Sequence, residues 1–306
     1  MAKTIRIGTR HSELALWQAN HVKNLLEKQG YETVLITVKS TGDLVLDKPL
    51  YELGITGIFT KALDVAMING EVDIAVHSMK DVPTALPKGI VQAAVLERAN
   101  VQDILVHKGL DFLNSKGIIA TGSLRRKAQW LHRYPDHNVV NLRGNVNSRL
   151  RKLDDSHWNG AIFAAAGLER IGLKPDNHID LKWMIPAPAQ GTMMVAAMEN
   201  DDLCREALSK INHQPTEICT HVEREFLRDL EGGCTAPIGA NATIEDDKVT
   251  LYGGLFSLDG KEKIIADKRF PLTMAKDAGK ICAMDVLENG GKELMAGIKL
   301  EMNKAK

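Results

Sequence analysis

Cys234 is the residue of this chain best suited to form a covalent bond with a ligand. It closes the segment Leu230-Glu231-Gly232-Gly233-Cys234, where small residues favour a turn that presents a thiol instead of burying it. The other three cysteines, Cys204, Cys219 and Cys282, fall within helix-like apolar patterns. A cysteine considered alone is more often an inert apolar residue. The hypothesis of a covalent attachment point at Cys234 therefore depends on the residues that accompany it.

A local excess of positive charge lies upstream of that cysteine. Residues 125–152 contain six arginines and two lysines against one acid, Asp136, in a chain of 306 residues whose formal net charge is zero. Two groups, residues 121–126 and 142–149, lie where a predicted strand is followed by a predicted helix. Backbone N–H groups at a helix start and guanidinium groups can bind the same anion. Because arginine binds a carboxylate through two bonds, we predict a site for a ligand with several carboxylates.

Not every basic residue belongs to the predicted anion site. Arg133 and Arg151 are better interpreted as residues of a solvated helix face. Arg10 is a further candidate for the site, because it follows the first predicted strand and precedes Ser12, a predicted helix N-cap.

Asp81 is the candidate for a catalytic carboxylate. It lies in His77-Ser78-Met79-Lys80-Asp81-Val82-Pro83, which we place just beyond a strand at residues 72–76. In open α/β sheets, ligands bind at the carboxyl ends of the strands. Considered alone, an aspartate at this position is more often a local turn cap. His77 is likewise better interpreted as a hydrogen-bonded histidine at a strand end than as a base.

The first two hundred residues alternate strand and helix patterns, which is typical of βαβ units and a largely parallel sheet. Residues 41–57 are rich in Gly and Pro and are predicted to form a long loop that acts as a lid. The remaining part of the chain predicts two helices and then a small α+β unit. The predicted strands cover residues 4–8, 32–39, 72–76, 104–107, 118–121, 139–142, 161–165, 238–244, 249–256 and 263–270.

This pattern predicts three domains. Domain 1 comprises residues 1–98 and 192–212, domain 2 residues 99–191, and domain 3 residues 213–306. The segment Met184–Gly191, with two prolines, is predicted to return the chain to the first domain. Two domains joined by two crossings would enclose a hinged cleft.

The composition excludes several classes of protein. With 44% hydrophobic and 25% charged residues, the chain is typical of a globular protein, and it lacks the roughly 20 consecutive apolar residues of a membrane helix. No secretory signal is recognised at the start, so we expect a cytoplasmic protein with reduced thiols. No metal-type cysteine spacing occurs, and no metal site is predicted. The balanced net charge disfavours a nucleic-acid partner.

Several motifs together resemble the porphobilinogen deaminase family, also called hydroxymethylbilane synthase. The resemblance extends from Arg6 to about Gly239, and the order and spacing of the motifs are those of the family. The motifs are Val76-His77-Ser78-Met79-Lys80-Asp81-Val82-Pro83, Gly122-Ser123-Leu124-Arg125-Arg126, Leu142-Arg143-Gly144-Asn145, Ala165-Ala166-Gly167-Leu168-Glu169-Arg170 and Glu231-Gly232-Gly233-Cys234.

The resemblance implies an α/β enzyme of two periplasmic-binding-protein-like, doubly wound domains with a hinged cleft, plus a small α+β C-terminal domain. The implied reaction joins four porphobilinogen molecules head to tail, releases ammonia at each step and yields linear hydroxymethylbilane. The implied cofactor is a dipyrromethane attached through a thioether to Cys234. The chain would act as a monomer, and porphobilinogen would be its small-molecule partner, with no nucleic acid and no membrane.

The resemblance also implies roles for individual residues. Asp81 would stabilise the cation that forms as ammonia departs. Cofactor binding would fall to Ser12, Lys80, Asp81, Thr121, Ser123, Arg125, Arg126, Arg143 and Asn145. Substrate binding would fall to Arg10, Arg149, Arg170 and Gln190, and the lid would include Phe59 and Lys61.

The chain departs from the family pattern at two places. In the lid loop, Thr56 stands where the family usually has lysine, and Ala62 replaces a usual glutamate. In the crossing segment, Pro188 and Ala189 stand where the family usually has Val-Gly, which indicates a stiffer hinge. The alternative reading is a non-catalytic, two-lobed anion-binding or effector-sensing protein in which the arginines hold a ligand.

Overall fold

The computed structural model describes residues 3–40, 57, 59–230 and 236–304. The first part of the chain forms the following elements: β1 (Ile5–Thr9), α1 (Glu13–Lys28), β2 (Thr33–Thr37), α2 (Lys61–Ile68), β3 (Ile74–Ser78) and β4 (Ile90–Val95). A 3₁₀ turn, Met79–Asp81, follows β3 directly.

The next part contains β5 (Asp103–His107), β6 (Ile118–Ala120), α3 (Leu124–Arg133), β7 (Asn138–Val140), α4 (Val146–Asp154), β8 (Gly160–Ala164), α5 (Ala165–Arg170) and β9 (His178–Asp180). The last part contains β10 (Met193–Met198), α6 (Asp202–Ser209), α7 (Gln214–Asp229), β11 (Ile238–Glu245), β12 (Lys248–Phe256), β13 (Lys263–Pro271), α8 (Ala275–Val286) and α9 (Lys292–Lys304).

The strands form two five-stranded sheets of equivalent topology and one three-stranded sheet. The two large sheets have the orders β2-β1-β3-β10-β4 and β7-β6-β8-β5-β9. In each, only the fourth strand is antiparallel to its neighbours. That strand is also the first one formed after the chain crosses from the other lobe. The third sheet, β11-β12-β13, is fully antiparallel.

Each large sheet is covered by helices on both faces, so its central strands are buried along their length. Successive side chains of a strand face opposite cores. In the first lobe, α1 and α6 pack on one face, and α2 packs on the other. In the second lobe, Ile104 of β5 faces the core that includes Leu153 of α4, whereas Leu105 faces the core that includes Trp130 of α3. The core of the third unit lies between α7, α8, α9 and the third sheet.

Among the described residues, five helices begin at a polar residue whose side chain caps them, and three of these caps are Ser12, Ser123 and Asn145. Ser12 Oγ accepts from Ala15 N at 3.3 Å, Ser123 Oγ from Arg126 N at 3.4 Å, and Asn145 Oδ1 from Ser148 N at 2.9 Å. Side-chain oxygens at this position satisfy backbone donors that the first turn leaves unpaired. The N-cap predicted at Ser12 is confirmed.

The two lobes are joined by two segments that run side by side, residues 96–102 and 181–192. Ala99 N donates to Gly191 O at 3.1 Å, and Arg98 Nε donates to Gln190 O at 2.9 Å. Ala189, in the second segment, is buried and has φ of 61°, a left-handed conformation that costs a non-glycine residue about 1 kcal/mol. Its amide donates to the Glu223 carboxylate at 2.7 Å, which holds this conformation.

Glu223 of α7 ties the third unit to both connecting segments. Its fully buried carboxylate pairs with Arg98 at 2.6 and 3.1 Å and accepts from the amides of Ala189 and Ala242. A buried carboxylate is tolerated only where such partners compensate for lost hydration. The junction of the three units is therefore an ionic contact and not only an apolar one.

Most strand and helix positions predicted from sequence are confirmed, with three corrections. Each large sheet is largely parallel, as predicted, but it also contains one antiparallel strand, which is the first strand after the chain crosses from the other lobe. The strand placed at residues 72–76 is β3, Ile74–Ser78, so His77 and Ser78 belong to it and only Met79 onward lies beyond. Strands β4, β9 and β10 were not predicted.

The overall architecture of two α/β lobes and a small α+β unit is confirmed. We propose the domain limits stated from sequence, residues 1–98 with 192–212, 99–191 and 213–306, since each contains the strands of one sheet. Among the described residues, every helix is too short or too polar to cross a bilayer.

We predict that Gly191→Ala destabilises the protein much more than Gly172→Ala. Both glycines have positive φ, of 84° and 66°, so both substitutions introduce backbone strain of about 1 kcal/mol or more. Only at position 191 would the new Cβ lie 2.6 Å from a backbone oxygen, that of Ala99, whereas the space at 172 is open. We expect the thermal unfolding midpoint to fall at least twice as far for Gly191→Ala. Equal decreases would contradict this packing of the connecting segments.

Candidate functional site

The carboxyl ends of strands from both lobes face each other across the cleft. From the first lobe come Arg10, after β1, and the 3₁₀ turn after β3; from the second come the turns after β6, β7 and β8. Direct contacts across the cleft show that these edges meet. Lys80 Nζ donates to Gln190 Oε1 at 3.2 Å, and Asn147 Nδ2 donates to Glu13 Oε2 at 2.8 Å. Most of the predicted site residues that the structure describes are thus brought together from five strand ends, and Lys61 lies outside this group.

Asp103, at the start of β5, is the buried anion that holds the two arginines of the turn after β6. Its carboxylate accepts from Arg125 NH1 at 2.7 Å and from Arg126 Nε and NH2 at 3.0 and 2.7 Å. Burial opposes ionisation of Asp103, but the charges of Arg125 and Arg126 outweigh it and keep its pKa well below the usual range. Both arginines are buried, and each also donates to a backbone carbonyl, of Ile185 and Ile162 respectively.

Gln190 connects this anion to Lys80. Its Nε2 donates to Asp103 Oδ1 at 2.9 Å and to Val101 O at 2.8 Å, which leaves Oε1 to accept from Lys80 Nζ. Burial, together with the charge of Arg126, lowers the pKa of Lys80 to about 8, although Asp81 and Asp103 act in the opposite direction. Lys80 is therefore a cation that a nearby anion would stabilise.

Arg149 of α4 completes the group of cations around Asp81. Burial lowers its pKa to about 10, with repulsion from Arg126, while the Asp81 carboxylate raises it. Its Nε is buried and has no hydrogen-bond partner among the described residues. An unpartnered, buried guanidinium N–H is costly unless a ligand accepts from it.

Burial likewise lowers the pKa of Arg125 and of Arg143. Among the described residues, Asp81 interacts electrostatically with Lys80 and Arg149, and Asp103 interacts with Lys80, Arg125 and Arg126. These four cations outnumber the two carboxylates. A ligand carrying several carboxylates would compensate for this imbalance.

Four of the predicted cofactor-binding residues have structural tasks at the starts of helices. Ser12, Ser123 and Asn145 are the N-caps described above, and Thr121 Oγ1 accepts from Ser123 N at 3.3 Å. Thr121 is buried, while Asn145 is exposed at the cleft. These side chains shape the helix starts that present backbone N–H groups to the site.

Arg170 and Arg10 lie at the margins of the cleft against aromatic rings. Arg170 NH2 donates to Gly191 O at 2.7 Å, its guanidinium lies 5.6 Å from the Trp17 ring centroid, and burial lowers its pKa to about 10. Arg10 lies 4.4 Å above the ring of Phe59. Lys61, at the start of α2, is exposed and lies outside this group.

His77 is not positioned as a base. It is buried in β3, and burial together with the charge of Arg10 lowers its pKa to about 4, so the ring is neutral near pH 7. This agrees with the interpretation from sequence. Arg133 and Arg151 are exposed, as expected for a solvated helix face.

Sequence reasoning missed three residues that organise the site. They are Asp103, Gln18, whose Nε2 donates to Ser78 Oγ at 2.9 Å, and Arg224 of α7, which contacts the turn that carries Asp81. For Asp103, no local pattern indicated a buried ion pair, because its partners Arg125 and Arg126 lie 22 and 23 positions later in the sequence. The sequence around Arg224 does not indicate its contacts, because Met79, Val82 and Pro83 are more than 140 positions away.

Two predictions fall outside the described residues. Cys234 belongs to the segment 231–235, and most of the predicted lid belongs to residues 41–56 and 58. The three described cysteines, Cys204, Cys219 and Cys282, are buried, and burial raises the pKa of each thiol to about 12, 11 and 11 respectively. Their thiols are therefore unreactive at neutral pH.

Comparison with solved structures finds two-lobed binding proteins. A periplasmic substrate-binding protein of an ABC transporter from Coxiella burnetii is 16% identical, with a TM-score of 0.44, over 68% of this chain and 92% of that chain.

Comparison with known sequences finds similarity over almost the whole chain. A protein from Pelobacter propionicus named porphobilinogen deaminase is 40% identical over 299 residues, which cover 96% of each chain. One of the same name from Campylobacter fetus is 40% identical over 298 residues, 95% of this chain and 97% of that protein.

Two family models match consecutive parts of the sequence. Residues 5–206 match the dipyrromethane cofactor binding domain of porphobilinogen deaminase, and residues 217–288 match the C-terminal domain of the same enzyme. The first match includes every described site residue discussed above except Arg224, which lies within the second. On these grounds, the chain belongs to the porphobilinogen deaminase family.

Proposed function

We propose that this chain catalyses the stepwise head-to-tail condensation of four porphobilinogen molecules, with release of one ammonia per step, to give linear hydroxymethylbilane. The observation that carries the proposal is the placement of Asp81 among Lys80, Arg126 and Arg149, within a chain of the porphobilinogen deaminase family. Every pyrrole of such a chain bears an acetate and a propionate. A site of this charge suits a ligand whose carboxylates increase in number as it grows.

The residues present fit the dipyrromethane cofactor that the family implies. Two linked pyrroles carry four carboxylates, and the cleft offers planar guanidinium groups, an ammonium group and helix starts, which are the usual donors to carboxylates. The unpartnered Nε of Arg149 is one donor that such a ligand would satisfy. We propose that Cys234 is the attachment residue and that Lys80, Arg125, Arg126 and Arg143 hold the acidic side chains, with Ser12, Thr121, Ser123 and Asn145 shaping the turns.

In the proposed mechanism, the cations bind and orient while Asp81 acts on the reacting pyrrole. When bound, the dipyrromethane supplies the terminal pyrrole carbon to which the first substrate is joined. Arg10, Arg149, Arg170 and Gln190 bind the incoming porphobilinogen and neutralise its carboxylates. Asp81 accepts hydrogen bonds from the pyrrole N–H and stabilises the positive charge that develops on the substrate as ammonia leaves. Phe59 and Lys61 border the site on the lid side.

Lys80 contributes a charge next to Asp81 that depends on its surroundings. Its pKa is lowered to about 8, so carboxylates that bind nearby favour its charged ammonium form. Asp103 keeps Arg125 and Arg126 in fixed positions. The guanidinium N–H groups that do not bind Asp103 are therefore oriented before a ligand binds.

Family membership disfavours the alternative of a non-catalytic, two-lobed anion-binding or sensing protein. We further propose that the chain acts as a cytoplasmic monomer, with porphobilinogen as its small-molecule partner and without a nucleic-acid or membrane partner. Gel filtration with light scattering tests the monomer, since a mass of twice 33.6 kDa would contradict it.

The attachment residue is tested by intact mass spectrometry of the denatured protein. We expect a mass excess equal to two linked pyrroles, and colour with an aldehyde reagent that reacts with pyrroles. Both should be lost in Cys234→Ser, because a hydroxyl cannot replace the thiolate nucleophile.

The matched control for this experiment is Cys219→Ala, which removes a buried thiol of α7. This variant should keep both the mass excess and the colour. An unmodified wild-type protein, or an adduct that survives in Cys234→Ser, would contradict the proposed function at its cofactor.

The proposed role of Asp81 predicts a turnover defect without loss of the adduct. In Asp81→Asn, the side chain keeps its shape but loses the charge that stabilises the substrate cation, so turnover should fall at least about 100-fold. The two-pyrrole mass should remain, because the cations that hold the cofactor are unchanged. Asp111→Asn, an exposed aspartate of the second lobe, is the control and should retain wild-type turnover. Near-normal turnover in Asp81→Asn would refute the assignment.

A further inference from the structure

The turn that carries Asp81 is held by its backbone and not by the Asp81 side chain. The Asp81 carboxylate is exposed and makes no hydrogen bond to another described residue. Its direction is therefore set by the main chain of residues 79–83. Met79 N donates to Thr192 O at 3.0 Å, and Val82 N closes the turn on Met79 O at 3.1 Å. These two bonds hold the turn from the side of the sheet.

Arg224 of α7 holds the same turn from the opposite side. NH1 donates to Val82 O at 2.9 Å and to Met79 O at 3.3 Å, and NH2 donates to Pro83 O at 2.6 Å. Three carbonyls at the end of a short helical turn thus share one guanidinium group. A planar group with five fixed donors can make such contacts together, and the positive charge strengthens each of them.

The contact joins residues that are far apart in the sequence. Arg224 belongs to the helix of the third unit, whereas Met79, Val82 and Pro83 belong to the first lobe, 141 to 145 positions earlier. The adjacent residue, Glu223, binds both connecting segments. One helix therefore contacts the hinge and the turn that carries Asp81 through consecutive side chains.

We propose that Arg224 is a positioning residue for Asp81: by binding the carbonyls of Met79, Val82 and Pro83, it fixes the direction in which the Asp81 carboxylate enters the cleft. The inference rests on the proposed role of Asp81 in the condensation. Arg224 touches neither substrate nor cofactor in this assignment. A purely structural role, in which Arg224 only attaches the third unit to the first lobe, is the alternative that the test must separate.

The test compares Arg224→Met, Arg224→Lys and Arg228→Met. Methionine keeps most of the length of the side chain but removes all three hydrogen bonds, whereas lysine keeps the charge and part of the bonding. Arg228 lies one helical turn later, is half-exposed and pairs only with Glu225 and Asp229 of its own helix among the described residues. Arg228→Met therefore removes an arginine from α7 without disturbing the turn.

For Arg224→Met, we expect kcat to fall about 10- to 100-fold, since small displacements of a reacting group cost this much. KM should stay within about threefold, because the groups that bind carboxylates are unchanged. The two-pyrrole mass should be retained. Arg224→Lys should recover part of kcat, and Arg228→Met should match the wild type. A wild-type kcat in Arg224→Met, or a KM that rises as much as kcat falls, would overturn the proposal.

A double-substitution cycle separates positioning from attachment of the third unit. If Arg224 acts through Asp81, adding Arg224→Met to Asp81→Asn should lower the single-turnover rate no further. Fully additive losses would overturn the proposal. If Arg224→Met folds poorly, the same cycle is run with Arg224→Lys, and a wild-type kcat in that variant alone would overturn the proposal as well. Normal turnover in Asp81→Asn would instead show that the proposed function of Asp81 is wrong, independently of Arg224.

Discussion

The site depends on one constraint, which is that several buried cations must be kept close together in a folded protein. Like charges at such short range repel, and burial removes the water that would screen them. The chain meets this constraint in two ways. Asp103 pairs with both arginines nearest the sheet and fixes their direction, and Gln190 extends this contact to Lys80. The buried Nε of Arg149, which has no hydrogen-bond partner among the described residues, is left for the carboxylates of a ligand.

The fold makes this arrangement possible through its repeated topology. In both lobes, parallel strands end at the cleft and are followed by a turn that starts a helix, so one kind of local structure supplies backbone donors and basic side chains from each side. The third unit contacts this arrangement through α7. Through Glu223 and Arg224, α7 contacts both the connecting segments and the turn that carries Asp81. The positions of hinge, catalytic turn and third unit are therefore interdependent.

Much of this could be predicted from the sequence, because it rests on local patterns. Hydrophobic periodicity predicts the order of strands and helices, and a capping residue predicts the N-cap at Ser12. Local composition predicts the basic turns after β6 and β7. What was missed depends on distant partners. Strand β9 has only three residues, and the sheets are mixed because a later crossing inserts β10 between β3 and β4. Asp103 looks like any strand-edge acid until Arg125 and Arg126 are placed against it, and the contacts of Arg224 with Met79, Val82 and Pro83 span more than 140 positions of sequence.

The paired connection between the lobes limits the ways in which they can move. A single linker would allow the lobes to rotate freely about its bonds, but here two segments are bonded to each other through Ala99 and Gly191 and through Arg98 and Gln190. Twisting one lobe relative to the other would break these bonds, whereas bending about the line that joins the two segments preserves them. The width of the cleft is thus governed by one angle. A product that lengthens by one ring at a time must be accommodated by increasing that angle or by sliding the rings already joined along the cleft floor.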